Sequence, residues 1–377
     1  MNGSIDQRLD SAIAAFRAQD FARAADGLRG LAADMAPQDM PWELLANAEA
    51  ATGNRVAAMA ALDRRLALDI RSIPALLLKA QLLEQDGDGR GASSHYQAAI
   101  NQEAVFGGCP DQLRPLLAHG QAFIGSAQGR YAEYLRDTVG EPPTPRMARA
   151  LDLLSGKREV YLQQPSVFYF PELPQRQFYE PEEFSWLGPM LVLVPQMQAE
   201  LAAVEAEAEG DFSPYVTRDP SGPAPNNPLL DDPAWSAFWF WRSGAPVEAN
   251  AARCPATMAA LEHAPMPRID RRSPVAHWSR LQPGAHIRPH HGMLNTRLIC
   301  HIPVRTAPAC TLRVGNETRE WHDGVPLIFD DSIEHEARNA GDRSRTVLLF
   351  EIWRPEIEAE EREALVRLFA TIAAYEG

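Results

Sequence analysis

Residues 345–353 read Arg-Thr-Val-Leu-Leu-Phe-Glu-Ile-Trp, and this run is the longest β-strand that the sequence predicts. Pro355 closes the run, because proline cannot donate a hydrogen bond to a strand ladder. Shorter strands are predicted before it, over residues 297–304, 311–314, 318–321 and 326–329. Gly315-Asn316-Glu317 between two of them is typical of a hairpin turn. Short strands separated by turns indicate a double-sheet barrel or jelly roll, followed here by a predicted helix over residues 356–375.

The N-terminal part of the chain has a different composition. Only five of the 31 prolines lie before residue 142, and eight of the ten histidines lie between His263 and His335. A proline-rich stretch, Glu141-Pro142-Pro143-Thr144-Pro145, marks the change, since proline does not readily continue a helix. We therefore expect a helical domain over residues 1–141, a connection over 142–165 and a β-rich domain over 166–377.

The helical part repeats every 34 residues. Small residues recur at this spacing, as do turn-forming residues: Ala12, Ala46 and Ala80; Ala24, Ala58 and Ala92; Asp20, Asn54 and Asp88. The period resembles that of tetratricopeptide repeats, in which paired antiparallel helices pack closely. Three degenerate units fit residues 4–104, with further helix over 120–154. An alanine-rich bundle whose spacing agrees by chance is the alternative, and repeats of this kind usually bind a partner or pack on a neighbouring domain.

Charge and composition exclude several classes of protein. Thirty-six basic and fifty acidic residues give a net charge of −14, which argues against a protein that binds nucleic acid or anionic lipid. No apolar run approaches the ~20 residues that a membrane-spanning helix requires. The first residues lack the features of a secretory signal, and the four cysteines are too few for a disulfide framework. We expect a soluble, cytoplasmic protein.

The histidines suggest a metal site. Pro289-His290-His291-Gly292 and Glu334-His335-Glu336 each place a histidine within the β-rich part. Two imidazoles from separate strands of a barrel can hold a first-row transition metal and leave other positions open. Adjacent residues of a strand face opposite sides, so His290 and His291 are not expected to share one ion. Isolated histidines are more often surface or core residues, so the spacing alone leaves a structural role open.

A longer run of residues in this region resembles the aspartyl/asparaginyl β-hydroxylase family. The matching segments stand in one order: Trp278-Ser279-Arg280-Leu281, Pro283-Gly284, Pro289-His290, Gly292, Asn295, Arg297-Leu298, His301, Asn316-Glu317-Thr318-Arg319, Trp321, Gly324, Leu327 to Ser332, Glu334-His335-Glu336, Arg345, Trp353 and Pro355-Glu356. The resemblance is strongest over residues 278–356 and extends more weakly to 168–184 and 235–241. It implies a double-stranded β-helix (jelly-roll) oxygenase that uses Fe(II), 2-oxoglutarate and O2, and helical repeats also precede this domain in the family.

The resemblance also implies roles for single residues. His290 and His335 match the two iron ligands and so carry the catalysis. Arg345 matches the arginine that pairs with the far carboxylate of 2-oxoglutarate, for which the planar guanidinium is suited. Ser279 matches a hydroxyl that binds the same carboxylate, and His301 matches a histidine that contacts the cosubstrate near the metal. Asp330 and Asp331 are expected to accept hydrogen bonds near the site rather than to bind the metal.

Two positions depart from family members that act on aspartyl side chains. Ile299 replaces one arginine that binds the substrate, and Leu230 replaces a second if the register of Trp235, Phe238 and Trp241 holds. Without these cations a buried substrate carboxylate would lack a partner, which is costly. Arg242, Arg288 or Arg313 could meet such a carboxylate instead.

The sequence therefore predicts an Fe(II)- and 2-oxoglutarate-dependent hydroxylase of an unactivated carbon, with a peptide or protein side chain as its expected substrate. The family resemblance implies β-hydroxylation of the Asp/Asn type. The helical repeats would recruit that substrate. One alternative is a repeat-containing adaptor whose oxygenase-like domain is inactive. Others are a hydroxylase or halogenase of a small molecule or acyl chain, since Gly292 leaves a ligand position open, and a cupin-type metalloenzyme that needs no 2-oxoacid.

Overall fold

A computed structural model describes residues 4–207, 211–218, 223 and 226–376. The chain divides into two compact units, Met1–Arg158 and Glu159–Gly377. The stretch 142–165, expected as a connection, contains a helix and the boundary between the units. In the described part of the chain, no helix is long and apolar enough to cross a membrane.

The first unit is built from antiparallel helix pairs. Its helices are α1 Ile5–Arg17, α2 Phe21–Leu31, α3 Trp42–Ala51, α4 Arg55–Leu68, α5 Ile73–Gln85, α6 Gly89–Phe106, α7 Arg114–Val139 and α8 Pro145–Leu154. Helices α1 and α2, α3 and α4, and α5 and α6 pack against each other as pairs. Their order and pairing confirm the predicted tetratricopeptide-like repeats.

The 34-residue period has a direct structural cause. Asp20, Asn54 and Asp88 are the N-cap residues of α2, α4 and α6, and each side chain accepts a hydrogen bond from the backbone N–H three residues later. Gly53 and Gly87 precede two of these caps with φ of +81°, a conformation that favours glycine. The repeating alanines are buried, which lets the paired helices approach closely.

The second unit contains two antiparallel sheets. Its strands are β1 Phe178–Tyr179, β2 Ser213–Pro214, β3 Trp235–Arg242, β4 Ala245–Pro246, β5 Ala276–Leu281, β6 His286–His290, β7 Arg297–Arg305, β8 Cys310–Val314, β9 Glu317–Glu320, β10 Leu327–Phe329, β11 His335–Asn339 and β12 Arg345–Trp353. The larger sheet has the order β1-β10-β7-β12-β5-β3-β2, with β4 beside β3. The smaller has the order β6-β11-β8-β9. This is the predicted jelly roll.

The two faces of the larger sheet have different neighbours. The helices of this unit are α9 Leu187–Val192, α10 Val194–Glu207, α11 Glu248–Ala251, α12 Pro255–Leu261 and α13 Ala359–Glu376. Leu348, Phe350 and Ile352 of β12 belong to a core formed with α9, α10 and α12. Val347 and Leu349, on the opposite face, pack in a second core with side chains of the smaller sheet. Since side chains alternate along a strand, each strand contributes to both cores.

Candidate active site

His290 and His335 lie opposite each other in the smaller sheet. His290 ends β6, His335 begins β11, and the two residues are paired in register. Their ring centroids are 4.1 Å apart. The structure therefore brings together the two histidines that the sequence selected, and His290 lies at the exposed rim while His335 is buried.

Local hydrogen bonds fix the orientation of both rings. Nδ1 of His290 lies 2.8 Å from the carbonyl oxygen of Arg288, and Nδ1 of His335 lies 3.1 Å from that of Ile333. A carbonyl accepts only from a protonated nitrogen, so Nε2 of each ring keeps its lone pair for another partner. Burial and the neighbouring His290 lower the pKa of His335 to about 3, so its ring is neutral at pH 7. Neutral imidazoles with free Nε2 atoms suit a divalent metal.

The space beside Gly292 is already filled by a carboxylate. A Cβ atom added at Gly292 would lie 2.1 Å from Oδ2 of Asp331, and Gly292 donates its N–H to the Asp331 carbonyl at 2.6 Å. A side chain at position 292 is thus incompatible with Asp331 in this position. Among the residues that the structure describes, no group of three or more His, Cys, Asp or Glu side chains forms a metal cluster. The protein would therefore supply the two imidazoles alone.

Arg345 is a buried cation with almost no partners. Its side chain is 1% exposed, and Nη1 donates to the carbonyl oxygen of Ser279 at 3.1 Å. The ring of Trp321 lies 4.4 Å from the guanidinium carbon. Among the described residues, Nε has no partner and no carboxylate forms an ion pair with Arg345. Burial lowers the pKa of Arg345 to about 10, which still leaves it charged at pH 7.

The predicted neighbours of Arg345 face the same interior. Ser279 of β5 is paired with Val347 of β12, and its Oγ accepts a hydrogen bond from Nε1 of Trp235 at 3.3 Å. His301 of β7 is buried between the rings of Trp321 and Phe329, and neither of its nitrogens has a partner. Phe329 also contacts His335, which connects this pocket to the histidine pair. The five predicted site residues thus line one interior.

Comparison with known proteins agrees with this geometry. Residues 194–355 match the family model described as aspartyl/asparaginyl beta-hydroxylase. The C-terminal unit is thus similar to the aspartyl/asparaginyl β-hydroxylase family. Aspartyl/asparaginyl beta-hydroxylase from Homo sapiens is 36% identical over 132 residues, which are 35% of this chain and 17% of that protein. Aspartate beta-hydroxylase domain-containing protein 2 from Xenopus tropicalis is 29% identical over 77% of this chain and 75% of its own length.

The extent of these matches differs between relatives. The chain spans less than a fifth of the mouse and human aspartyl/asparaginyl beta-hydroxylases. Among solved structures, the tetratricopeptide domain of Sgt2 from Aspergillus fumigatus is similar, with a TM-score of 0.29, 18% identity and coverage of 38% of this chain and 87% of that domain. The repeat and jelly-roll folds rest on the helix pairing and strand register described above.

The structure also defines the two positions where the arginines implied by the family resemblance are missing. Ile299 is buried on the inward face of β7, where it pairs with Phe329. Leu230 is half-buried beside Val216. Of the arginines that were expected to compensate, Arg313 forms ion pairs with Glu334 and Glu336. Arg242 packs over the ring of Trp239 at 5.2 Å.

Arg297, on the same inward face, is also paired. Its guanidinium forms ion pairs with Glu351 and, at 3.4 Å, with Asp331. Burial raises the pKa of Asp331 to about 6, although Arg297 opposes this shift. Two carboxylates therefore share one guanidinium next to Gly292.

The sequence analysis assigned no role to several side chains of the site. Trp321 stacks on both Arg345 and His301, and Trp235 holds Ser279, yet neither was assigned a role. His277 was not noticed at all. It precedes Ser279 by two residues, so strand alternation places both on one face, and that spacing was the available signal.

Proposed function

We propose that this protein is an Fe(II)- and 2-oxoglutarate-dependent hydroxylase that acts on an unactivated carbon of a peptide or protein side chain. The observation that carries the proposal is the uncompensated guanidinium of Arg345, which faces the same interior as the histidine pair. A buried cation without a counter-ion is costly, and an anionic ligand removes that cost. An adaptor, or a cupin enzyme that uses no 2-oxoacid, has no need of a buried guanidinium without a counter-ion.

Each side chain of the site has a separate role. His290 and His335 hold the metal through Nε2, and Arg345 binds the far carboxylate of 2-oxoglutarate, with the Ser279 hydroxyl as a further donor. His301 contacts the cosubstrate between that carboxylate and the metal. Bound Fe(II), with 2-oxoglutarate and O2, supplies the oxidation of a C–H bond to an alcohol and the conversion of the cosubstrate to succinate and CO2. The rings of Trp321, stacked on His301, and of Phe329, edge-on to it, would limit the access of water to this interior.

Hydroxylation is favoured over halogenation by Asp331. Its carboxylate occupies the space beside Gly292, and a pKa of about 6 leaves it negatively charged at pH 7. A halide bound next to this carboxylate would be repelled. The family relationship favours protein hydroxylation, and the tetratricopeptide-like repeats are suited to recruit a protein substrate. Since Ile299 and Leu230 provide no cation, we propose that the target group differs from the aspartyl side chain of the family name.

Spectroscopy tests the metal and the cosubstrate together. Under anaerobic conditions, Fe(II) and 2-oxoglutarate are expected to give a weak visible charge-transfer band with the full chain. His335→Ala should abolish the band, and Arg338→Ala, on the same strand, should retain it. Mass spectrometry of candidate peptides should then show an added oxygen that depends on 2-oxoglutarate. A wild-type protein that binds Fe(II) but never develops the band contradicts the proposal.

A further inference from the structure

His277 is a buried polar residue whose hydrogen-bonding groups are unused. Its side chain is 0% exposed, and neither Nδ1 nor Nε2 has a hydrogen-bond partner among the described residues. A neutral imidazole carries one N–H donor and one acceptor. Leaving either unsatisfied in a protein interior is expensive, so such groups in native proteins call for an explanation. A ligand bound where the ring faces would explain the unused groups of His277.

Strand register shows which space that is. On β5, His277 and Ser279 alternate with Trp278, which packs in the core with the helices. His277 therefore faces the interior that contains Ser279. It is paired with Leu349 of β12, and Leu349 is paired on its other side with His301 of β7. The two unpartnered imidazoles thus occupy one row of the sheet, on either side of Leu349.

Arg345 begins β12, four residues before Leu349, and its charge acts on both imidazoles. Its positive charge lowers the pKa of His277 and of His301, in addition to the larger effect of burial. The interior therefore contains a guanidinium without a counter-ion and two rings without hydrogen-bond partners. A single anion with several acceptor oxygens satisfies all three groups together.

Aromatic neighbours hold the His277 ring in place. The Trp239 ring lies 4.4 Å from it, and the Tyr215 ring is stacked on it at 5.3 Å. Tyr215 is itself stacked on Trp235, whose Nε1 donates to Ser279. Packing of this kind restricts the ring to one orientation, which is the condition for a preorganised hydrogen-bond donor.

We propose that His277 is a binding residue for the 2-oxoacid, and that it donates one ring N–H to a carboxylate oxygen of bound 2-oxoglutarate. This inference rests on the proposed function and extends it to a residue outside the predicted site. 2-Oxoglutarate carries two carboxylates and a keto group, whose oxygens can accept more hydrogen bonds than Arg345, Ser279 and His301 donate beside the metal. A neutral imidazole adds a donor without adding a second buried charge beside Arg345.

The test is 2-oxoglutarate binding by the full chain loaded with Mn(II) in the absence of O2, measured by isothermal titration calorimetry. His277→Phe should raise the Kd for 2-oxoglutarate by about tenfold or more, because a hydrogen bond to a charged group is lost. Binding of Mn(II) alone should not change. His277→Gln keeps an N–H donor and should bind 2-oxoglutarate more tightly than His277→Phe.

Thr346→Val is the matched control. Thr346 is also 0% exposed with an unpartnered hydroxyl, but it pairs with Arg280 and Arg305 on the helix-covered face of the same sheet. Its removal should leave the Kd unchanged. Equal Kd values for wild type and His277→Phe, or an equal loss in Thr346→Val, would overturn the role of His277 alone. A wild-type protein that does not bind 2-oxoglutarate would overturn the proposed function as well.

Discussion

The two ends of strand β12 each bury an arginine, and the two arginines are in opposite situations. Arg354 is 0% exposed and follows the strand; its guanidinium donates to Asp330 at 2.7 Å, to the Tyr179 hydroxyl at 2.6 Å and to the Pro174 carbonyl at 2.8 Å. Arg345 is 1% exposed and begins the strand, yet within the described chain it donates only to the Ser279 carbonyl.

The charge balance differs in the same way. The nearby carboxylate and tyrosine raise the pKa of Arg354 despite its burial, whereas burial without such a partner lowers that of Arg345. A buried arginine with a complete set of acceptors stabilises the fold that supplies them. A buried arginine without acceptors destabilises the fold, and a bound anionic ligand removes this destabilisation. Burial alone therefore does not separate a structural arginine from a binding one; the partners do.

Matched substitutions should give the largest difference between these arginines. Arg354→Met leaves Asp330 buried without its counter-ion and should lower the free energy of unfolding by about 3–5 kcal/mol. Arg345→Met removes an uncompensated charge and should change it by less than about 1 kcal/mol, or raise it. Urea unfolding followed by tryptophan fluorescence measures both, because seven of the eight tryptophans lie in residues 159–377. If Arg354→Met and Arg345→Met lowered the free energy of unfolding equally, the distinction between a structural and a binding arginine would be wrong.

For the affinity for 2-oxoglutarate, Arg345→Met should have the larger effect of the two substitutions. Arg345→Met should weaken 2-oxoglutarate binding by about 100-fold, since it removes a buried pair of charge-assisted hydrogen bonds. Arg345→Lys keeps the charge but loses the planar fork and should fall between wild type and Arg345→Met. Titration of the Mn(II)-loaded protein with 2-oxoglutarate measures this. Affinity that is unaffected by Arg345→Met would mean that the anion binds elsewhere.

The sequence was sufficient for the elements whose pattern follows simple rules. The run at 345–353 is apolar on both faces and became β12 at the predicted bounds. The 34-residue spacing of Asp20, Asn54 and Asp88 predicted turns, and in the structure these residues cap three helices. The first signal lies within one short segment and the second repeats at a fixed interval, so both can be recognised along the chain.

Strand β5 and the partners of the site residues could not be found in this way. Residues 276–279 alternate between apolar and polar, which predicts a polar face exposed to solvent, but all six residues of the strand are buried, and His277 and Ser279 face inward. This interior is polar because it faces the candidate ligand pocket. Family resemblance selected Arg345, but its lack of a counter-ion depends on residues from several strands and is visible only in the folded structure.

The pH dependence of stability should reveal the environment that Arg345 creates. Burial and Arg345 lower the pKa of His277 to about 3, against ~6.5 in an unfolded chain. Between these values the unfolded state binds a proton that the folded state does not, so stability decreases as the pH falls below ~6.5. His277→Phe removes this contribution. Relative to wild type, metal-free His277→Phe should lose about 2 kcal/mol less unfolding free energy between pH 7.5 and 5.0.

The other buried histidines serve as an internal control in that experiment. His301 and His335 also have lowered pKa values, and they are present in both proteins, so their contributions cancel. Parallel pH profiles for wild type and His277→Phe would show that His277 is not held neutral in the folded protein.

The smallest expected difference concerns one hydroxyl near each arginine. Ser279→Ala should raise the Kd for 2-oxoglutarate by about three- to tenfold, because one neutral donor to the carboxylate is lost. Tyr179→Phe removes a hydroxyl that accepts from Arg354 and donates to Glu356, so it should lower the free energy of unfolding by about 1 kcal/mol and leave the Kd unchanged. Calorimetry and urea unfolding on both variants complete the comparison. A Tyr179→Phe protein with weakened 2-oxoglutarate binding would show that the two ends of β12 are coupled, and the separation into a structural and a binding arginine would then fail.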